Sequence, residues 1–168
     1  MEIAIRTGVR RDVLHIAAVH HRASEVGYSH IFDRPLPVPT LASTWQRRLT
    51  TPGIDVLVAE GLGFGIVGVI AIRRTDDPRV AEFFGLYVAP EVWSLGLGTT
   101  LVEAALELTP LETERIGAWV LEDNARGRRF WHGRGFELMP ERVLVNPGGA
   151  RELRYERVGL TQQHGSPN

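Results

Sequence analysis

Apolar and polar residues alternate over 2–6 (EIAIR), the period of a half-buried strand. The period then changes to that of a helix. After Arg11-Asp12, residues Val13, Ile16, Ala17 and His20 fall at i, i+3, i+4 and i+7, which places them on one buried face. Residues 28–39 keep no period, and Pro35, Pro37 and Pro39 predict an irregular segment. Thr40 is the expected N-cap of a second helix whose apolar face is Leu41, Trp45 and Leu49, ended by Thr51-Pro52-Gly53. Three strand-like runs follow at 55–60, 66–74 and 80–88, joined by the glycine-rich stretch 61–65 and the turn 75–79. Leu97, Leu101, Val102, Ala105 and Leu106 mark a helix over 97–108 that stops at Pro110. A strand at 116–121, a short helix at 124–134 and two strands at 136–145 and 152–158 complete the pattern, the last pair turning through Asn146-Pro147-Gly148-Gly149.

The predicted order is β-α-α-β-β-β-α-β-α-β-β. Short hairpins make the middle strands antiparallel. The β-α-β stretch at 80–121 predicts a right-handed parallel crossover. The fold class is therefore α/β, in the sense of an α+β mixed sheet with helices on both faces. We expect one domain over 1–158 and a flexible polar tail over 159–168.

Composition adjusts this picture little. The chain has 168 residues, 43% hydrophobic and 23% charged, enough for a sizeable core. No apolar run reaches the length of a membrane span, and the first residues read as a strand instead of a targeting signal, so we expect a cytoplasmic protein with no membrane partner. With no cysteine there is no disulfide framework, zinc-thiolate site or cysteine nucleophile. The net charge of −1 lacks the basic excess of a nucleic-acid binder. All basic residues are arginine, which codon bias in a GC-rich genome explains as readily as a need for phosphate-binding forks.

The chemistry concentrates in the turn before the third helix, Trp93-Ser94-Leu95-Gly96-Leu97-Gly98-Thr99. Two glycines beside a helix start leave backbone N–H groups uncovered at the positive end of the helix dipole, which suits a phosphate or pyrophosphate. A dinucleotide fold requires a third glycine and a place after the first strand, and a P-loop requires a lysine that this chain lacks.

The same residues resemble the GNAT-type N-acetyltransferase superfamily. Trp93 to Gly98 is similar to its [Q/R]-x-x-G-x-[G/A] signature, Leu86-Tyr87-Val88-Ala89-Pro90 to its L-Y-V-x-P strand, and 124–136 to its N-x-x-A-x-x-[F/L]-Y-x-x-x-G-F segment. The resemblance covers nearly the whole chain. It implies acetyl-CoA as co-substrate, no metal, and direct transfer of the acetyl group to a primary amine in a ternary complex. The backbone of Leu86, Tyr87 and Val88 would pair with the pantetheine arm. N–H groups from Ser94 to Thr99 (Ser94, Leu95, Gly96, Leu97, Gly98, Thr99), with Trp93 before them, would hold the pyrophosphate, and Asn124 would meet the pantetheine. Trp93 and Leu95 stand where polar or basic residues are usual, so the loop relies on backbone donors. Arg126, Arg128, Arg129 and Arg134 on the next helix are candidates for the missing charge, with Arg129 the one assigned to the cofactor.

Catalysis departs from the family too. Trp131 occupies the position of the tyrosine that protonates the departing thiolate, and an indole N–H is no useful acid. Tyr87 is the stand-in. Glu82, eleven residues before Trp93, is the candidate base for the acceptor ammonium, and Glu122 the runner-up. A backbone N–H near Tyr87 would polarise the thioester carbonyl. His20, His21 and His30 tempt a metal reading, but adjacent helical residues point about 100° apart. They lie with Glu25, Tyr28 and Phe32 in the family's acceptor segment, so His21, Glu25, Tyr28 and Phe32 are the substrate-binding candidates. The resemblance implies a small-molecule or peptide amine as acceptor, and the sequence leaves a small amine, an antibiotic, a peptide N-terminus and a protein lysine all open. Dimers are frequent in the family, so a homodimer is one arrangement the resemblance allows. The rival function is an acetyl-CoA or acyl-CoA binding module with little turnover.

Overall fold

A computed structural model describes residues 2–159. The element order is the predicted one. Most of the expected tail, from residue 160 on, lies outside the described residues. The chain forms two compact units. One holds the residues through Arg73 together with Gly85–Leu108; the other holds Arg74–Phe84 and the described residues from Thr109 on.

In the first unit, β1 (Ile3–Thr7) pairs antiparallel with β2 (Ile54–Gly61), which pairs antiparallel with β3 (Gly65–Arg74) around the glycine-rich turn. Three helices belong to this unit: α1 (Val13–Gly27), α2 (Val38–Thr50) and α3 (Leu97–Leu108). Ile16, Val19, Leu41, Trp45, Val56, Val58, Ile70, Ile72 and Leu101 form its core. Fully burying one such side chain contributes about 1.5–3 kcal/mol. Gly68 of β3 admits α3, because a Cβ there would sit 2.9 Å from Leu101 Cδ1.

One local expectation is corrected. The second helix starts at Val38, not after Thr40, with Pro37 extended at the N-cap (φ −60°, ψ 147°) and Pro39 in the first turn. The N–H groups of a first turn have no helical partner, so proline fits there instead of blocking the helix. Before α1, residues Arg10–Asp12 form a 3-10 turn, and the Asp12 carboxylate accepts from Arg6 Nη1 (2.7 Å), Arg6 Nη2 (3.0 Å) and the Val9 N–H (2.9 Å). Arg6 holds Asp12 well below the ordinary carboxylate range.

Strand β4 (Val80–Val88) contributes to both units. In the second unit its first residues, Val80–Phe83, pair in parallel with Arg115–Ala118 of β5 (Arg115–Leu121), the parallel pairing expected across the helix. β5 pairs antiparallel along its whole length with β7 (Arg151–Val158), and β7 with β6 (Glu137–Val145), whose register slips between Met139 and Val143. Helix α4 (Ala125–His132) completes this unit. The strands hydrogen-bond in the order β1-β2-β3-β4-β5-β7-β6. The second unit's core is Phe83, Ile116, Ala118, Val120, Trp131, Phe136, Leu153 and Tyr155.

Candidate active site

The glycine turn builds a concentrated set of donors. Among the described residues Ser94 is the one non-glycine at positive φ (66°), and Gly96 follows at φ 84°. These two left-handed residues fold the chain into the start of α3. Within the turn the Trp93 N–H donates to Pro90 O (3.2 Å), and the Thr99 and Thr100 N–H groups to Gly96 O (2.9 and 3.1 Å). Among the described residues, the N–H groups of Ser94, Leu95, Gly96, Leu97 and Gly98 donate to no backbone carbonyl. These five consecutive donors sit at the N-terminus of a twelve-residue helix. Thr99 therefore falls outside the donor set, because the first turn of α3 engages its N–H.

Trp93 takes a part that the sequence did not suggest. Its indole N–H donates to Val88 O at 2.6 Å, and its ring lies along Gly27, where a Cβ would be 3.6 Å away. Both N–H groups of Trp93 are engaged inside the protein. It clamps the turn to the end of β4 and presents no donor to a ligand. Leu95 is 70% exposed, and Leu97 is buried, so each offers the turn only its backbone N–H.

Leu86, Tyr87 and Val88 end β4 in the same unit. Tyr87 stacks on His20 of α1 at 3.6 Å between ring centroids, with planes 20° apart. Trp45 of α2 meets both rings edge-on and donates its indole N–H to His20 Nδ1 at 3.2 Å. Burial, with the nearby Arg48 charge, pushes His20 down to about 3, so this histidine is neutral at pH 7. Neither His20 nor its bond to Trp45 was foreseen as part of a polar cluster; twenty-five residues separate the two.

The carboxylate candidates belong to the second unit. Glu82 Oε1 accepts from Arg154 Nη1 at 2.6 Å, and Arg154 Nε donates to Glu156 Oε1 at 3.1 Å. The side chain of Arg154 is only 5% exposed and that of Glu82 15%. Gly117 makes this possible: a Cβ there would overlap the Arg154 guanidinium. Glu122 pairs with Arg151 at 3.2 Å in a more open setting. Asn124 caps α4, its Oδ1 accepting from the Gly127 N–H at 2.8 Å, which leaves Nδ2 as its donor. Arg129 is exposed on α4. Arg128 instead donates to Tyr155 Oη (3.1 Å), and Arg134 stacks on Phe130 (3.7 Å). Trp131, expected beside the cofactor, is 6% exposed and packs edge-on against Phe136 and Phe130, because a large ring on the inward face of a short amphipathic helix fills the core.

In the first unit, Glu25, Tyr28 and Phe32 come together with Ser24, Asp33 and Arg34 around a cavity of about 310 Å³. His21 stands apart from it. Its Nδ1 bonds Leu36 O at 2.8 Å, tying the irregular segment to α1. Among the described residues no group of three or more His, Asp or Glu is gathered as for a metal, and no helix is long and apolar enough to cross a membrane.

The profile of the acetyltransferase (GNAT) family matches residues 27–136, and the chain belongs to that family. Solved structures share the fold. PaiA N-acetyltransferase from Thermoplasma acidophilum, in complex with coenzyme A, is 20% identical over 94% of this chain and 99% of its own (TM-score 0.74). Spermidine N-acetyltransferase from Vibrio cholerae, with CoA and spermine, is 18% identical over 96% and 98% (TM-score 0.71). YncA from Salmonella typhimurium, with acetyl-CoA, is 19% identical over 100% and 99% (TM-score 0.70). No curated protein matches the chain.

Proposed function

We propose that residues 1–158 act as one catalytic domain in the cytoplasm that transfers the acetyl group of acetyl-CoA to a primary amine, by direct attack while both substrates are bound. The observation that most supports this is the run of five backbone donors from Ser94 to Gly98, held by positive φ at Ser94 and Gly96 and by the Trp93–Val88 clamp, in a member of an acetyltransferase family. A pyrophosphate is a dense array of acceptors, and such a row of N–H groups at a helix start fits it without any lysine. In this reading Leu86, Tyr87 and Val88 offer strand edges to the pantetheine arm, Asn124 its Nδ2, and Arg129 its guanidinium to a phosphate. Acetyl-CoA brings an acetyl group already activated as a thioester.

The chain's own work is then to orient and to move protons. Glu82 takes a proton from the acceptor ammonium, with Arg154 holding one of its oxygens; Glu122 is the second carboxylate. A backbone N–H near Tyr87 polarises the carbonyl. Tyr87 returns a proton to the departing thiolate. The cavity beside Glu25, Tyr28 and Phe32 combines carboxylates with aromatic faces, a lining suited to a small-molecule or peptide ammonium. The spermine-bound enzyme of similar fold supports a small cationic acceptor.

One observation favours a second reading. Trp131 stands where the family carries its tyrosine acid and packs into the core, which suits a module that binds acetyl-CoA or acyl-CoA with little turnover. Titration calorimetry with acetyl-CoA, followed by free-thiol release over a panel of primary amines, separates the two. Binding with amine-dependent thiol release supports the transferase, binding without it supports the module, and no binding removes both. If Glu82→Gln leaves the pH–rate profile of an active amine unchanged, Glu82 is not the base.

A further inference from the structure

We propose that His20, Trp45 and Arg48 form a positioning set for Tyr87, fixing its ring and assisting its hydroxyl as proton donor; this rests on the assignment of Tyr87 as the acid. All four residues belong to the first unit. His20 covers one face of the Tyr87 ring at 3.6 Å, and Trp45 stands edge-on at 6.5 Å, so the phenol ring has little freedom to rotate. Trp45 Nε1 donates to His20 Nδ1, so the neutral imidazole carries its proton on Nε2, in one tautomer. A neutral histidine adds no charge to the cluster.

The charge comes from α2. Arg48 follows Trp45 by one helical turn, and its guanidinium lies 4.6 Å from the Trp45 ring centroid. Gly85 of β4, at φ 61°, opens the space: a Cβ there would stand 2.9 Å from Arg48 Nη1 and 3.0 Å from Trp45 Cη2. His20 stacks on Tyr87 from α1, and Arg48 acts on it electrostatically from α2. Arg47 on α2 and Arg73 on β3 act on Arg48, and His21 acts on His20. Arg48 and Tyr87 interact electrostatically, and the arginine is largely shielded from solvent, so salt screens the pair weakly.

The chemistry needs such a device. An ordinary tyrosine titrates near 10 and an ordinary thiol near 8.5, roughly, so an unassisted phenol passes its proton to a thiolate uphill. A cation beside the phenol favours the phenolate and narrows that gap.

The test titrates the phenolate absorbance of the intact protein, with Tyr87→Phe subtracted to isolate Tyr87 from Tyr28 and Tyr155. The expected midpoint in Arg48→Gln lies about one pH unit above that of the unmodified protein, while Arg48→Lys stays with the unmodified protein. Arg48→Met, which keeps the stem's packing, gives the same reading if the glutamine variant does not fold. Superimposed curves for the unmodified protein and the neutral variants overturn the proposal. Undiminished acetyl transfer by Tyr87→Phe defeats the acid assignment instead, and the two failures are distinguishable because the titration needs neither acetyl-CoA nor an acceptor.

Discussion

His20 can sit half-buried without charge because Trp45 satisfies one ring nitrogen and Tyr87 covers a face. That arrangement has a consequence for stability. The unfolded chain takes up a proton at His20 as the pH falls below about 6.5, whereas the folded chain does so only near about 3. The contribution is complete above the unfolded value and declines as the pH drops through this window, by about 1.4 kcal/mol per pH unit. Urea unfolding between pH 6 and 4.5 should show this slope, and His20→Gln should lose it, since the carboxylates are common to both proteins. An unchanged slope means that His20 is not the titrating group. Gly117 is the second decisive residue. Gly117→Ala drives a methyl into the Arg154 guanidinium and breaks a buried ion pair, so it should cost about 3 kcal/mol in urea unfolding, against well under 1 kcal/mol for an exposed Gly133→Ala.

The elements were readable from the sequence because their periods are local. Leu41, Trp45 and Leu49 announced α2, and Leu97, Leu101 and Ala105 announced α3. The start of α2 was misread because proline both blocks a helix interior and suits a first turn, and the sequence does not say which applies at Pro39. The polar partnerships were not readable at all. Glu82 and Arg154 are 72 residues apart, and only the parallel β4–β5 pairing and the antiparallel β5–β7 pairing bring them together. Asn124 joins an element to a candidate site. Asn124→Asp keeps the Oδ acceptor that caps α4 but loses the Nδ2 donor, so it should unfold like the unmodified protein while binding acetyl-CoA about 10-fold more weakly. Asn124→Ala should lose about 1 kcal/mol of stability as well. Equal acetyl-CoA affinity in all three proteins would confine Asn124 to capping.

At the scale of the whole molecule, the family is legible in three short motifs, while the acceptor is not, because no motif specifies the cavity beside Tyr28 and Phe32. The absence of lysine and cysteine gives the mechanism an unusually clean check. With neither amine side chain nor thiol to acylate, the protein incubated with acetyl-CoA and quenched should keep its mass, apart from modification of an α-amino group. A new acetyl adduct on an internal residue would indicate a covalent route in place of direct transfer. The most direct measurement of the central claim is free CoA thiol released from acetyl-CoA across a panel of primary amines. The account predicts release that depends on the amine and matches the acetylated amine mole for mole. Release no faster than in protein-free controls, for every amine, would contradict it.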